Sequence, residues 1–75
     1  MIIQEALKER IKELRSLAEE ITTSDLQGIA EAIAKEILNP DKNSIDRLLI
    51  EEILLNYAYK EIDFNKCLEE LEVLK

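Results

Sequence analysis

Apolar residues recur along the first part of the chain at intervals of four and three: Leu7, Ile11, Leu14, Ala18 and Ile21. That spacing places them on one stripe of an α-helix, flanked by Ile3 and Leu17. The remaining surface alternates in charge through Glu5, Lys8, Glu9, Lys12, Arg15 and Glu19. The pattern predicts a helix over about 2–21 with a solvated charged face. Opposite-sign neighbours such as Glu9–Lys12 and Arg15–Glu19 add only ~0.2–0.5 kcal/mol each. The stripe is shorter than the three to four heptads of a coiled coil, so the helix reads as one wall of a bundle.

Thr22-Thr23-Ser24 interrupts this run with residues that favour caps and turns over helix interiors. Ser24 to Gln27 has capping-box spacing, which predicts a second helix over about 24–38. Its stripe is Leu26, Ile29, Ala30, Ile33 and Ile37, while Gly28 and Ala32 lie four apart on another face. Those two small residues are candidates for a smooth patch where another helix approaches closely. Asn39-Pro40-Asp41-Lys42-Asn43 reads as a loop, because Pro40 lacks a backbone donor and biases Asn39 away from helix. Asn43 or Ser44 then caps a third helix.

The third segment, about 44–60, differs in kind. Leu48, Leu49, Ile50, Ile53, Leu54, Leu55, Tyr57, Ala58 and Tyr59 cover most of a helical circumference rather than one stripe. A helix apolar on nearly all sides is normally buried on several of them. Here the row Leu49–Ile53–Tyr57 is read as core-facing. Leu54, Leu55, Ala58 and Tyr59, which lie away from that row, become candidates for a partner interface. A last stripe, Phe64, Cys67, Leu68, Leu71 and Leu74, predicts a fourth helix over about 63–74 capped by Asp63. No Gly or Pro follows Asn43, so the last two segments are either separated near Glu61–Asp63, the preferred reading, or fused into one long helix.

The expectation is therefore an all-α chain, a single domain of residues 1–75 forming a small bundle of three to four helices. Composition sharpens this. Seventy-five residues with a lone cysteine and no histidine leave no disulfide or common zinc set to staple a small fold. The core must be dense in aliphatics or completed by another chain. The net charge is −7, and residues 43–75 hold eight acidic against four basic side chains. That excess opposes phosphate binding and anionic membranes, so neither nucleic acid nor membrane is expected as a partner. No apolar run approaches the ~20 residues of a spanning helix. The absence of an export signal and the free thiol favour the cytoplasm.

Catalytic chemistry finds little footing. Without histidine the usual activated nucleophiles lack their base. Cys67 sits on an apolar stripe and reads as a small core residue. The doublets Glu19-Glu20, Glu51-Glu52 and Glu69-Glu70 point about 100° apart on a helix and do not share a site. Asp41, Asn43 and Glu52 match three positions of a calcium loop. However, Ile45 stands where an oxygen ligand is needed and Asp46 where glycine makes the sharp turn. No enzyme activity, cofactor or metal is expected.

As an acidic four-helix chain, the protein resembles nuclease-colicin immunity proteins in size class, without their acidic third helix and its tyrosine pair. The stretch Ile45–Leu71, about a third of the chain, is similar to the second half of lactic-acid-bacterial bacteriocin immunity bundles. That likeness rests on apolar spacing with Tyr57, Tyr59 and Phe64. It has no specific motif, so no residue role is carried over.

The functional expectation is a small non-enzymatic protein–protein interaction module or accessory subunit. It would form a homo-oligomer or join a larger assembly through apolar surface of its third and fourth helices. The alternative is an acidic inhibitor of antitoxin, immunity or anti-nuclease type, binding a basic partner through Glu51, Glu52, Glu69, Glu70 and Glu72.

Overall fold

The computed structural model describes residues 4–37 and 44–73. Within them run four helices: α1 (Glu5–Glu20), α2 (Thr23–Ile37), α3 (Ser44–Ala58) and α4 (Phe64–Val73). The all-α bundle expected from the periodicity is the observed architecture. The α-carbon radius of gyration of 11.3 Å matches the ~11 Å expected for a compact chain of this length.

Helices α1, α2 and α4 bury the stripes their spacing defines, whereas α3 buries a different row from the expected one. Ile11 and Leu14 of α1 are fully buried, and Leu7, Leu17, Ala18 and Ile21 pack against the same core. From α2 come Leu26, Ala30, Ile33, Ala34 and Ile37, with Ile29 at the margin. From α3 come Ile50, Leu54, Tyr57 and Ala58, and from α4 Cys67 and Leu71. Helices α1, α2 and α3 pack on one another, while α4 lies chiefly on α3. Arg10 Nη1 and Glu36 Oε2 form an ion pair that ties α1 to α2.

The helix ends have local causes. Helix α2 is capped by Thr22, not Ser24: Thr22 Oγ1 accepts from the Asp25 N–H at 3.2 Å, and the helix begins at Thr23. The β-branched pair that reads as an interruption thus supplies the cap itself. Asp63 caps α4 as expected, with Oδ1 accepting from the Lys66 N–H at 2.7 Å. Between them, α3 stops at Ala58 and the chain does not continue as one long helix. Lys60 takes a left-handed conformation, φ 66°. Its N–H bonds Tyr57 O at 3.0 Å and the Glu61 N–H bonds Asn56 O at 2.8 Å. This is a Schellman closure, usually built on glycine.

The loop expected at Asn39–Asn43 lies outside the described residues, as do Ile2, Ile3, Leu38 and Leu74. So do Asp41 and Asn43 of the calcium-loop comparison.

Candidate functional site: the α3–α4 groove

Helix α3 carries more apolar side chains than one buried stripe can hold, and the surplus lies at its N-terminal end. Ile45 is 62% exposed, Leu48 60% and Leu49 39%. This corrects the expected interface. Leu54 and Ala58 are core residues at 0% and 2% exposure, and Leu55 is partly buried against the core. Of the four candidates Leu54, Leu55, Ala58 and Tyr59, only Tyr59, just past the end of α3, is exposed, and its hydroxyl donates to Thr23 Oγ1 at 3.3 Å.

The reason is geometric. An i, i+4 row advances about 400° per step and so winds about 40° around the helix each time. The row Leu49–Ile53–Tyr57 accordingly runs from exposed, through half-buried, to buried. The core-facing set is instead Ile50, Leu54, Tyr57 and Ala58.

The exposed end of that winding row opens into a groove of about 380 Å³ between α3 and α4. Leu49, Glu52, Ile53 and Asn56 line it from α3, at i, i+3, i+4 and i+7. Lys66, Glu69, Glu70 and Val73 line it from α4 with the same spacing. Two helix faces therefore converge, as expected for neighbours joined by a short turn. Leu49, Ile53 and Val73 supply the apolar surface, and Val73 is 78% exposed. Among the described residues, Glu52, Glu69 and Glu70 supply three carboxylates against the one ammonium of Lys66.

The acidic candidates separate accordingly. Glu52, Glu69 and Glu70 share the groove, and Glu72 is exposed outside its lining. Glu51 is only 7% exposed and is not part of an acidic surface. It stands one residue from Ile50 and three from Leu54, on the inward side of α3. Arg47, one turn earlier on that side, has its Nε buried without a hydrogen-bond partner. Gly28 and Ala32 lie on an exposed face of α2, where a Cβ added at Gly28 would meet nothing within 4 Å.

A second cluster, where α1 meets the α3–α4 turn, involves a residue that periodicity assigned to the solvated face. Arg15 donates from Nε to Tyr57 O at 3.0 Å and from Nη2 to Ile62 O at 2.7 Å. The Glu19 carboxylate pairs instead with Lys60 Nζ at 3.5 Å, whereas Glu9 and Lys12 pair as their spacing suggests, at 3.7 Å. The Arg15 guanidinium also lies 4.3 Å from the Tyr57 ring centroid, and Lys12 Nζ lies 5.1 Å from that of Phe64. The two rings meet each other at 5.7 Å, tilted by 57°.

Cys67 is fully buried in the core. Burial pushes its thiol up to about 12; the Glu70 carboxylate adds to the rise and Arg15 opposes it. Burial also raises the Tyr57 hydroxyl, again against Arg15, with Cys67 adding to the rise. A thiol held protonated and out of solvent is a poor nucleophile.

Among the described residues no group of three or more His, Cys, Asp or Glu is placed to hold a metal ion. No helix among them is long and apolar enough to cross a membrane. Comparison with known protein families, curated proteins and solved structures finds no match to this chain.

Proposed function

We propose that this chain is a small non-enzymatic interaction module that docks a protein partner through the α3–α4 groove. The observation that supports it is the groove itself, where exposed Leu49 and Val73 stand beside half-buried Ile53. Exposed Leu48 extends the apolar surface beside it along α3. Apolar side chains left in water within a concave face gain free energy when another chain covers them. The buried free thiol suits a reducing compartment such as the cytoplasm. Self-association and docking into a larger assembly are both forms of this reading.

The acidic-inhibitor reading is favoured by one specific feature, the three carboxylates of Glu52, Glu69 and Glu70 in the groove. It differs from apolar docking in its salt response. Charge-steered association slows steeply as salt rises, whereas apolar contact persists.

The test is site-specific photo-crosslinking in the native cell. A benzophenone amino acid replacing Leu49 or Val73 should give a discrete crosslinked product. The same group replacing exposed Ser16 of α1 should not. Equal labelling from all three positions would refute the groove as a docking face.

A further inference from the structure

We infer that the occupant of the α3–α4 groove is a basic amphipathic helix of another protein, rather than a second copy of this chain. The inference rests on the interaction reading above and adds the chemistry of the partner.

Shape is the first argument. From Leu49 to Asn56, and from Lys66 to Val73, each wall presents about two helical turns, or roughly 10 Å of axis. That length fits a helix whose own apolar side chains recur at i, i+3 or i+4, and i+7, the usual arrangement of helix-in-groove recognition. Within the groove, the apolar side chains among the described residues are Leu49, Ile53 and Val73, so side chains flanking an incoming stripe meet the carboxylates of Glu52, Glu69 and Glu70.

Charge then decides between occupants. A symmetric dimer through this face sets each groove against its own copy. Among the described residues six carboxylates would then face two ammonium groups, on chains that each carry −7. Like charges brought together at an interface oppose association. Lysine or arginine on either side of a partner's apolar stripe makes the contacts with Glu52, Glu69 and Glu70 attractive, against one like-charge neighbour, Lys66. Long basic side chains also lay their methylene stems on apolar surface while reaching the carboxylates.

The test uses two synthetic fourteen-residue helical peptides with the same leucine stripe, one flanked by lysines and the other by glutamates. Binding is read from amide chemical-shift changes on the isotope-labelled full chain, alongside its mass by light scattering. The lysine peptide should shift the amides lining the groove, bind on the order of tenfold more tightly than the glutamate peptide, and weaken as salt rises. The double variant Glu69→Lys, Glu70→Lys should reverse that preference while circular dichroism stays helical. Leu49→Glu should abolish binding of both peptides.

Equal binding of the two peptides in the groove would overturn the basic-partner inference and leave the docking face intact. A dimer that Leu49→Glu dissociates, with neither peptide bound, would overturn it in favour of self-association. A monomer that binds neither peptide would overturn the inference, and if the crosslinks are also absent, the interaction reading falls with it.

Discussion

Arg15 of α1 stacks over the ring of Tyr57 at 4.3 Å and donates, through Nε, to the carbonyl oxygen of that same residue at 3.0 Å. With its second bond to Ile62 O it holds both sides of the α3–α4 turn from a third helix. The carbonyls at a helix C-terminus carry partial negative charge, so a cation there is doubly favourable. Charge-assisted bonds in a half-buried setting are stronger than exposed ion pairs. Arg15→Ala should destabilise the fold by about 2 kcal/mol in urea denaturation. Arg15→Lys should recover less than half, because an ammonium cannot present the planar fork. Amide exchange at Lys60 to Lys66 should rise before exchange in α2. If α2 opens first, the turn does not depend on Arg15.

Lys60 occupies a backbone position that L-residues rarely choose, φ 66°. A side chain there costs about 1 kcal/mol relative to glycine. Lys60→Gly should therefore raise stability by about 1 kcal/mol, and Lys60→Ala should not. The lost pair with Glu19 is exposed on both sides and contributes little. Measuring Lys60→Gly in a Glu19→Gln background removes that pair from the comparison. A Lys60→Gly chain no more stable than Lys60→Ala would count against the left-handed closure.

These two residues also show what the sequence conveys. The stripes of α1, α2 and α4 were legible because each is a single row at helical spacing, and Asp63 was legible as a cap because capping is local. Arg15 was not, because its acceptors lie 42 and 47 residues away and exist only once α3 has ended. The end of α3 was blurred because lysine stands where glycine would mark the turn. Leu54 and Ala58 were read as interface rather than core for a related reason. On a helix apolar all round, spacing alone does not say which row faces inward, and packing against α1 and α2 chose Ile50 and Leu54 over Leu49. Glu51 was taken for surface because its neighbourhood, not its chemistry, buries it.

The thiol of Cys67 gives the fold a signature in alkali. Its folded pKa of about 12 lies above the ordinary value of ~8.5 in an unfolded chain. Stability from keeping the neutral thiol buried is thus fully present below pH ~8.5 and is lost as pH climbs towards 12. The unfolded state releases the proton first, giving a slope of about −1.4 kcal/mol per pH unit within that window. The raised Tyr57 hydroxyl contributes with the same sign at higher pH. Against a Cys67→Ala variant, the wild-type advantage should shrink by that slope between pH 9 and about 11. A constant gap across that range would mean the thiol ionises freely in the folded chain. In native buffer an aromatic disulfide reagent should label Cys67 only at the rate of unfolding.

Leu54 and Leu49 separate folding from docking on one helix. Leu54 is fully buried, so Leu54→Ala leaves a cavity and should cost about 2–5 kcal/mol. Leu49 is 39% exposed at the groove, and Leu49→Ala should cost within about 1 kcal/mol. Binding should rank them the other way. At urea-free conditions where both variants remain folded, Leu49→Ala should weaken a groove ligand on the order of tenfold, as loss of a buried interface contact does. Leu54→Ala should leave affinity near that of the wild type. Urea melts paired with peptide titrations measure both quantities on the same samples. A large stability loss at Leu49, or an unchanged affinity, would place that side chain in the core's account rather than at an interface.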